Sequence, residues 1–266
     1  MTGEIEQPHV RPWGTALRIP TRGGHVWFKA ARDAFAFEAA LLEILRPLAP
    51  GLVTDVIASR PDVGWLLMAD GGERAREHPV AWSPLMRRYA QLQIAAAAHV
   101  DAMRAVGVND MRSERLPELV DALFPCLAPT TAERLRAALP RVLERLALFE
   151  SSPLPVTVEH GDLHDANVFV RDGEPRILDW GDANVAHPFL SLTVEMDRGA
   201  RGAYLEPWTA FAPISQLEAE AALVEEHRYL LRALNWLKVV PYDATAASGI
   251  DDRVNWFFDG VPGDGT

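Results

Sequence analysis

Three side chains with hard oxygens lie close together in the run from His160 to Ala183, HGDLHDANVFVRDGEPRILDWGDA. Asp162 is followed five residues on by Asn167 and, twelve beyond that, by Asp179. The segment between Asn167 and Asp179 reads as a hairpin. Val168 to Val170 is apolar, residues 171–175 are turn-formers, and Ile177 and Leu178 resume the apolar run. Such a hairpin carries residues 167 and 179 to the same end of two paired strands, so that an amide oxygen and a carboxylate face one space. Magnesium takes hard oxygen ligands and keeps the rest of its shell for phosphate and water, which makes this a place for a cation on nucleotide phosphates.

A second chemistry competes for part of the same run. His160, Asp162 and His164 form an HxDxH string whose alternate residues share one face of an extended segment, as a hydrolytic zinc or iron ion would need. That arrangement requires further ligands, for which His187 is the nearby candidate. It also leaves the hairpin unexplained. No HExxH motif and no cysteine pair exists, since Cys126 is the one cysteine of the chain.

HGDLHDAN fits HGDxHxxN, and Asp179-Trp180-Gly181 stands where protein kinases write Asp-Phe-Gly. In these motifs the chain resembles the aminoglycoside phosphotransferase and choline kinase group. The resemblance implies an α+β, bilobal protein-kinase-like fold with a small β-rich N-terminal lobe and a larger, mainly helical C-terminal lobe. It implies a nucleotide-binding lobe with hinge over residues 1–72 and a catalytic and acceptor-binding lobe over 73–266. Asp162 would face the acceptor hydroxyl, while Asn167 and Asp179 would hold Mg2+. Lys29, steadied by Glu38, would hold the phosphates of ATP or GTP, and the backbone of Met68, Ala69 and Asp70 would meet the adenine edge. His160 and His164 would support the loop, and Asp182 would lie near the phosphates, near the acceptor, or at the surface.

The elements that must position these residues are legible in outline. Thr15–Pro20 and His25–Lys29 read as strands around a turn at 21–24, with Val26 and Phe28 on one face and Trp27 and Lys29 on the other. A helix is expected from an Asp33 N-cap to the Arg46-Pro47 step. Its stripe of Phe35, Glu38, Leu42 and Leu45 includes a carboxylate that needs a cation; Glu43 is the more polar alternative partner. Pro12 to Thr15 would begin the phosphate cover, with a single glycine, Gly14. Residues 53–58 and 64–68 read as strands, and Gly71-Gly72 lets the chain change direction after them. Helices are expected from Ser83-Pro84 to Val106, from Ser113 to Phe124, from Thr130 or Thr131 with an interruption or kink at Pro140, and around 188–199, 215–239 and 251–258.

Composition limits the partners. A formal net charge of −11 over 266 residues speaks against nucleic acid, whose phosphates call for a basic footprint. An acidic surface would favour cationic acceptors such as amino sugars, aminoglycosides or amino alcohols. Neither a secretory leader nor an apolar run of spanning length is visible, so a cytoplasmic enzyme without a membrane partner is expected. The expected activity is a magnesium-assisted small-molecule kinase. A nucleotide-binding regulator without turnover is the alternative.

Overall fold

The structure, a computed structural model, describes residues 3–193 and 198–261. Its N-terminal part is an antiparallel sheet of five strands: β1 (Glu6–Arg11), β2 (Gly14–Thr21), β3 (Gly24–Ala31), β4 (Val56–Arg60) and β5 (Trp65–Ala69), in the order β1-β2-β3-β5-β4. The alternation in β3 does what it predicts. Trp27 packs on the core, while Phe28 meets the exposed Trp65 edge-on at 5.9 Å across the outer face. Lys29 pairs in register with Ala16 and Leu66, near the centre of the sheet. Strand β1 is exposed along its whole length and carries Pro8, so it gives no alternation to read and sits where proline is tolerated, at the sheet edge.

Asp33 does not cap the first helix. It lies in a 3-10 turn, Asp33–Phe35, and helix α1 (Glu38–Leu45) starts three residues after that turn ends, without any side-chain cap. The delay makes Glu38 the first residue of the helix. The chain after β5 turns at Gly71-Gly72 into the short strand β6 (Glu73–Arg74), followed by α2 (Trp82–Ala96) and α3 (Val100–Ala105). Ser83 and Pro84 are inside α2, whose N-cap is Ala81. Beyond β7 (Asn109–Met111) come α4 (Leu116–Asp121) and α5 (Pro129–Leu146). The helical assignment of α5 runs through Pro140 without a break, and its N-cap is Ala128 rather than a threonine.

Strand β8 (Thr157–Glu159) leads into the loop that carries Asp162, and the hairpin follows as β9 (Val168–Arg171) and β10 (Glu174–Ile177). Its turn is tighter than the sequence suggests. Asp172 and Gly173 both have positive φ, 56° and 80°, which fits the two-residue turn that matches strand twist. Glu174 and Pro175 are therefore in a strand, and β10 is at the edge of the order β10-β9-β6, where proline is accommodated. Strand β11 (Asn184–Ala186) pairs with both β8 and β7.

The remaining helices are α6 (Arg198–Leu205), α7 (Ile214–Trp236) and α8 (Ala246–Asp259). Of the helix expected at 188–199, Pro188–Thr193 is a 3-10 helix and 194–197 lie outside the described residues. One continuous core runs from Phe37 and Leu41 through Tyr89 and Trp180 to Val254, so sheet and helices share their apolar interior. No helix among the described residues is long and apolar enough to cross a membrane.

Gly72 is where the sheet hands over to the hairpin. Its φ is +92°, and a Cβ there would lie 2.0 Å from the carbonyl oxygen of Val170. Gly173 has φ +80° with nothing within 4 Å. Gly173→Ala should cost about 1–2 kcal/mol, the left-handed backbone penalty alone. Gly72→Ala should cost roughly 3 kcal/mol or more, because the clash adds to that penalty. Urea unfolding of both variants checks this; equal losses would mean that the close approach at Gly72 is absent.

Candidate active site

The hairpin holds the two halves of the site together. Leu178 N–H donates to the Asn167 carbonyl at 2.9 Å, one rung beyond the Val168–Ile177 pair, so Asn167 and Asp179 emerge at the same end. Asp179 has φ +63°, a left-handed conformation that is uncommon outside glycine. Its Oδ1 lies 2.5 Å from Lys29 Nζ, and Lys29 Nζ lies 2.6 Å from Glu38 Oε2. Glu38, not Glu43, is the partner; Glu43 faces Arg46 at 3.6 Å. Burial opposes charge on both Lys29 and Glu38. For Lys29 the two carboxylates outweigh it and hold the pKa above the usual lysine range. For Glu38 burial prevails, with Asp179 adding to it, and its pKa rises despite the ammonium. Lys29 lowers the pKa of Asp179, whose side chain is half exposed.

Asp162 is held from three sides. Arg232 Nη2 donates to Oδ1 at 3.1 Å, His164 Nε2 lies 3.1 Å from Oδ2, and Asn167 Nδ2 donates to the backbone carbonyl at 2.8 Å. Burial alone would raise its pKa, yet His164 and Arg232 outweigh burial and keep the carboxyl well below the usual range. His164 rises in return, chiefly through its bond to Asp162. Asp162 is thus an ionised carboxylate of low basicity.

His160 is wholly buried and uses both ring nitrogens inside the loop. Nε2 meets the Leu178 carbonyl at 2.8 Å, Nδ1 accepts from Asp162 N–H at 3.3 Å, and its own N–H donates to the Tyr89 hydroxyl. A ring so engaged has no lone pair for a metal, so His160, Asp162 and His164 do not form the ligand set of the hydrolytic reading. His187 is buried elsewhere, against Ser152 and Glu220.

Gly14 and Thr15 lie within β2, paired with β1 on one side and β3 on the other, and so form no open phosphate loop. Met68 and Ala69 close β5, and Ala69 N–H donates to the Asp55 carbonyl. The Asp70 carbonyl receives Arg171 at 2.9 Å, and its carboxylate receives Trp27 Nε1 at 3.2 Å.

Beside Asp162 opens a cavity of about 360 Å³ with Trp13, His164, Asp182, Arg232, Asn235 and Trp236 in its lining. Arg232, Asn235 and Trp236 were not readable as site residues. They fall at i, i+3 and i+4 on α7 and thus share one face, a helical pattern that core packing also produces. Asp182 lines the cavity and pairs with Lys238 at 3.1 Å. Glu159 was also missed. It is buried directly before the loop, accepts from Gly161 N–H at 2.6 Å and from the Asn184 side-chain amide, and so sets the loop's entry.

A sequence profile of the phosphotransferase enzyme family matches residues 15–207. The chain belongs to that family. It is a phosphotransferase, a kinase of small molecules. No curated protein is significantly similar to it in sequence. Among solved structures, it is similar to macrolide 2′-phosphotransferase from Brachybacterium faecium, at 17% identity over 94% of this chain and 91% of the other, with TM-score 0.64. A choline/ethanolamine kinase family protein from Mesorhizobium loti matches at 16% identity over 98% and 90%, TM-score 0.65. An APH(2″) enzyme solved with GDP and kanamycin matches at 15% identity over 96% and 93%, TM-score 0.63. These likenesses establish the shared fold.

Glu159 gives a pH signature. Burial raises its pKa from 4.5 to about 7, against the opposing bonds from Asn184 and Gly161. A carboxyl whose folded pKa is raised contributes stability in full below its unfolded value and loses it as pH climbs through the folded one. The parent should therefore lose about 3 kcal/mol through this group between pH 4.5 and 8. Glu159→Gln removes that loss, so variant stability minus parent stability should rise across the window. Denaturant titrations at several pH values measure it, and a flat difference would show that Glu159 does not titrate there.

Proposed function

We propose that this phosphotransferase moves the γ-phosphate of ATP, or of GTP, onto a hydroxyl of a small molecule with magnesium assistance. The observation that carries the reading is the Lys29 ammonium bridging Glu38 and Asp179, one hairpin rung from the Asn167 that steadies Asp162. Residues 1–72 would cover the nucleotide and 73–266 supply catalysis and the acceptor site. Met68, Ala69 and Asp70 would meet the adenine edge in place of the Arg171 contact.

The donor set suits magnesium. Asp179 meets Lys29 with one carboxylate oxygen, and the Asn167 amide nitrogen is taken by Asp162. The other Asp179 oxygen and the Asn167 side-chain oxygen supply hard ligands. Held by Asn167 and Asp179, the ion would supply positive charge that offsets that of the phosphates.

The protein's own groups do the rest. Lys29, freed toward the phosphates but retained by Glu38, neutralises the α- and β-phosphates. Asp162 accepts the acceptor O–H and aims its oxygen at the γ-phosphorus. The new O–P bond forms as the bond to the β,γ-bridging oxygen breaks. The nucleoside diphosphate leaves with that electron pair, and the hydroxyl proton passes by way of Asp162 to solvent. A carboxylate of low basicity suits a loose transition state, in which the hydroxyl needs orientation early and loses its proton late. Rate enhancement then rests on positioning and fixed charge. Against the regulator reading, a nucleotide binder without turnover, stand the intact Lys29, Asp162, Asn167 and Asp179, of which Lys29 meets Asp179 and Asn167 meets Asp162.

Asp162→Asn should lower kcat by about 10²–10⁴-fold, the usual worth of a positioned proton acceptor, with nucleotide binding little changed. Asp179→Ala should instead weaken magnesium–ATP binding itself. Labelled phosphate transfer and calorimetric titration separate the two effects. Variants that bind and turn over like the parent would sink the assignment.

A further inference from the structure

The cavity beside Asp162 shows an imbalance of charge. Both carboxylates in its lining already have cations: Asp162 has Arg232 and His164, and Asp182 has Lys238. No carboxylate of the lining is left for an amine. The guanidiniums at and behind the cavity wall, by contrast, have donors to spare. Arg232 uses Nη2 alone on Asp162, leaving the other N–H groups of its guanidinium. Arg253, on α8, lies over the Trp236 ring at 4.0 Å and donates to the Gly249 carbonyl at 2.7 Å. Among the described residues it has no carboxylate within ion-pair distance; of the two that act on it, Asp162 is already paired and Asp252 is exposed. Burial, followed by repulsion from Arg232, lowers the pKa of Arg253. With Asp162 already paired to Arg232, a second guanidinium beside Arg232 is costly without an anion of its own.

A second, independent feature concerns a neutral group. The Asn235 side-chain oxygen is buried, faces no hydrogen-bond donor, and belongs to a residue of the cavity wall that is 7% exposed. A buried acceptor without a partner calls for a donor from the ligand, and a hydroxyl supplies one. The cavity volume, about 360 Å³, is near the low end for ligand sites and suits one sugar-sized molecule.

We propose that the acceptor is a small polyhydroxylated anion, a carboxylate or a phosphate ester of monosaccharide size, with its anionic group against Arg232 in the field of Arg253 and a hydroxyl donating to Asn235. This rests on the phosphotransfer reading and narrows the acceptor away from the amines that the acidic net charge favours.

The test uses matched probes with γ-labelled ATP and magnesium: gluconate and glucose 6-phosphate as anions, sorbitol as the neutral member, glucosamine as the amine. The same probes are added to the protein saturated with a non-hydrolysable ATP analogue, and thermal stabilisation is read. An anionic probe should stabilise the complex and be the better acceptor, by about tenfold in kcat/KM over sorbitol and glucosamine. The comparison of gluconate with glucose 6-phosphate decides between carboxylate and phosphate. Arg253→Gln should raise KM for the preferred anion about tenfold with little change in kcat, and Arg253→Lys, which keeps the charge, should restore most of it. Stabilisation by glucosamine instead, equal response to sorbitol, or no response to either anion overturns the anionic class. Failure of magnesium–ATP itself to stabilise the protein overturns the phosphotransfer reading beneath it.

Discussion

A lysine ammonium drawn four-fifths out of water must be compensated, and in this chain the two carboxylates that do so come from distant elements. Glu38 opens the first helix, and Asp179 stands 150 residues away in sequence, at the end of the hairpin. The ion cluster therefore joins the five-stranded sheet to the part of the molecule that carries Asp162. Removing Lys29 would leave the buried Glu38 beside Asp179 without a cation, so the three constrain each other's position. The left-handed backbone of Asp179 belongs to the same constraint, because it turns the carboxylate from the hairpin toward the sheet.

Behind this cluster lies a polar network with little slack. Tyr89 and Gln93 of α2 reach across to β8 and the loop that carries Asp162: Gln93 donates to the Val158 carbonyl at 2.8 Å, and the Tyr89 hydroxyl receives the His160 backbone N–H at 2.9 Å. Thr157 donates back to Gln93. Each group is buried, and each has its partner. Buried networks that are fully satisfied specify one arrangement, since any shift exposes a donor or acceptor with nothing to meet. The loop's entry is fixed in this way, while the low basicity of Asp162 comes from its own donors, His164 and Arg232.

The loop and the hairpin were legible because their chemistry is local in sequence: the spacing of Asp162, Asn167 and Asp179 and the apolar runs between them lie within twenty residues. The period-2 pattern of β3 was legible for a similar reason. Where the reading failed, the deciding contacts were distant. Asp33 is a good capping residue, yet the chain delays the helix to Glu38, where Lys29 gives the carboxylate its cation. Ser83 and Thr130 have capping side chains as well, but α2 and α5 begin one residue earlier, at Trp82 and Pro129. Strand β1 has no apolar face, so only its pairing reveals it. On α7 the i, i+3, i+4 spacing of Arg232, Asn235 and Trp236 is common to packing faces and cavity walls alike. Only the neighbours supplied by the catalytic loop and α8 tell the two apart.

For the proposed anionic acceptor, the same locality gives net charge little weight. The excess of eleven negative charges is spread over a surface where water and salt screen each one beyond about 8–10 Å. A ligand inside the cavity meets instead the few groups within its own reach, in a medium that screens them far less. There, Asp162 and Asp182 are already paired with Arg232 and Lys238, and Arg253, over the ring of Trp236, has no carboxylate within ion-pair distance among the described residues. Long-range attraction from an acidic surface would hasten the approach of an amine, but approach is a kinetic effect. Equilibrium preference is set at the site, where an incoming ammonium would have to displace Arg232 or Lys238 from its carboxylate, whereas an anion displaces nothing.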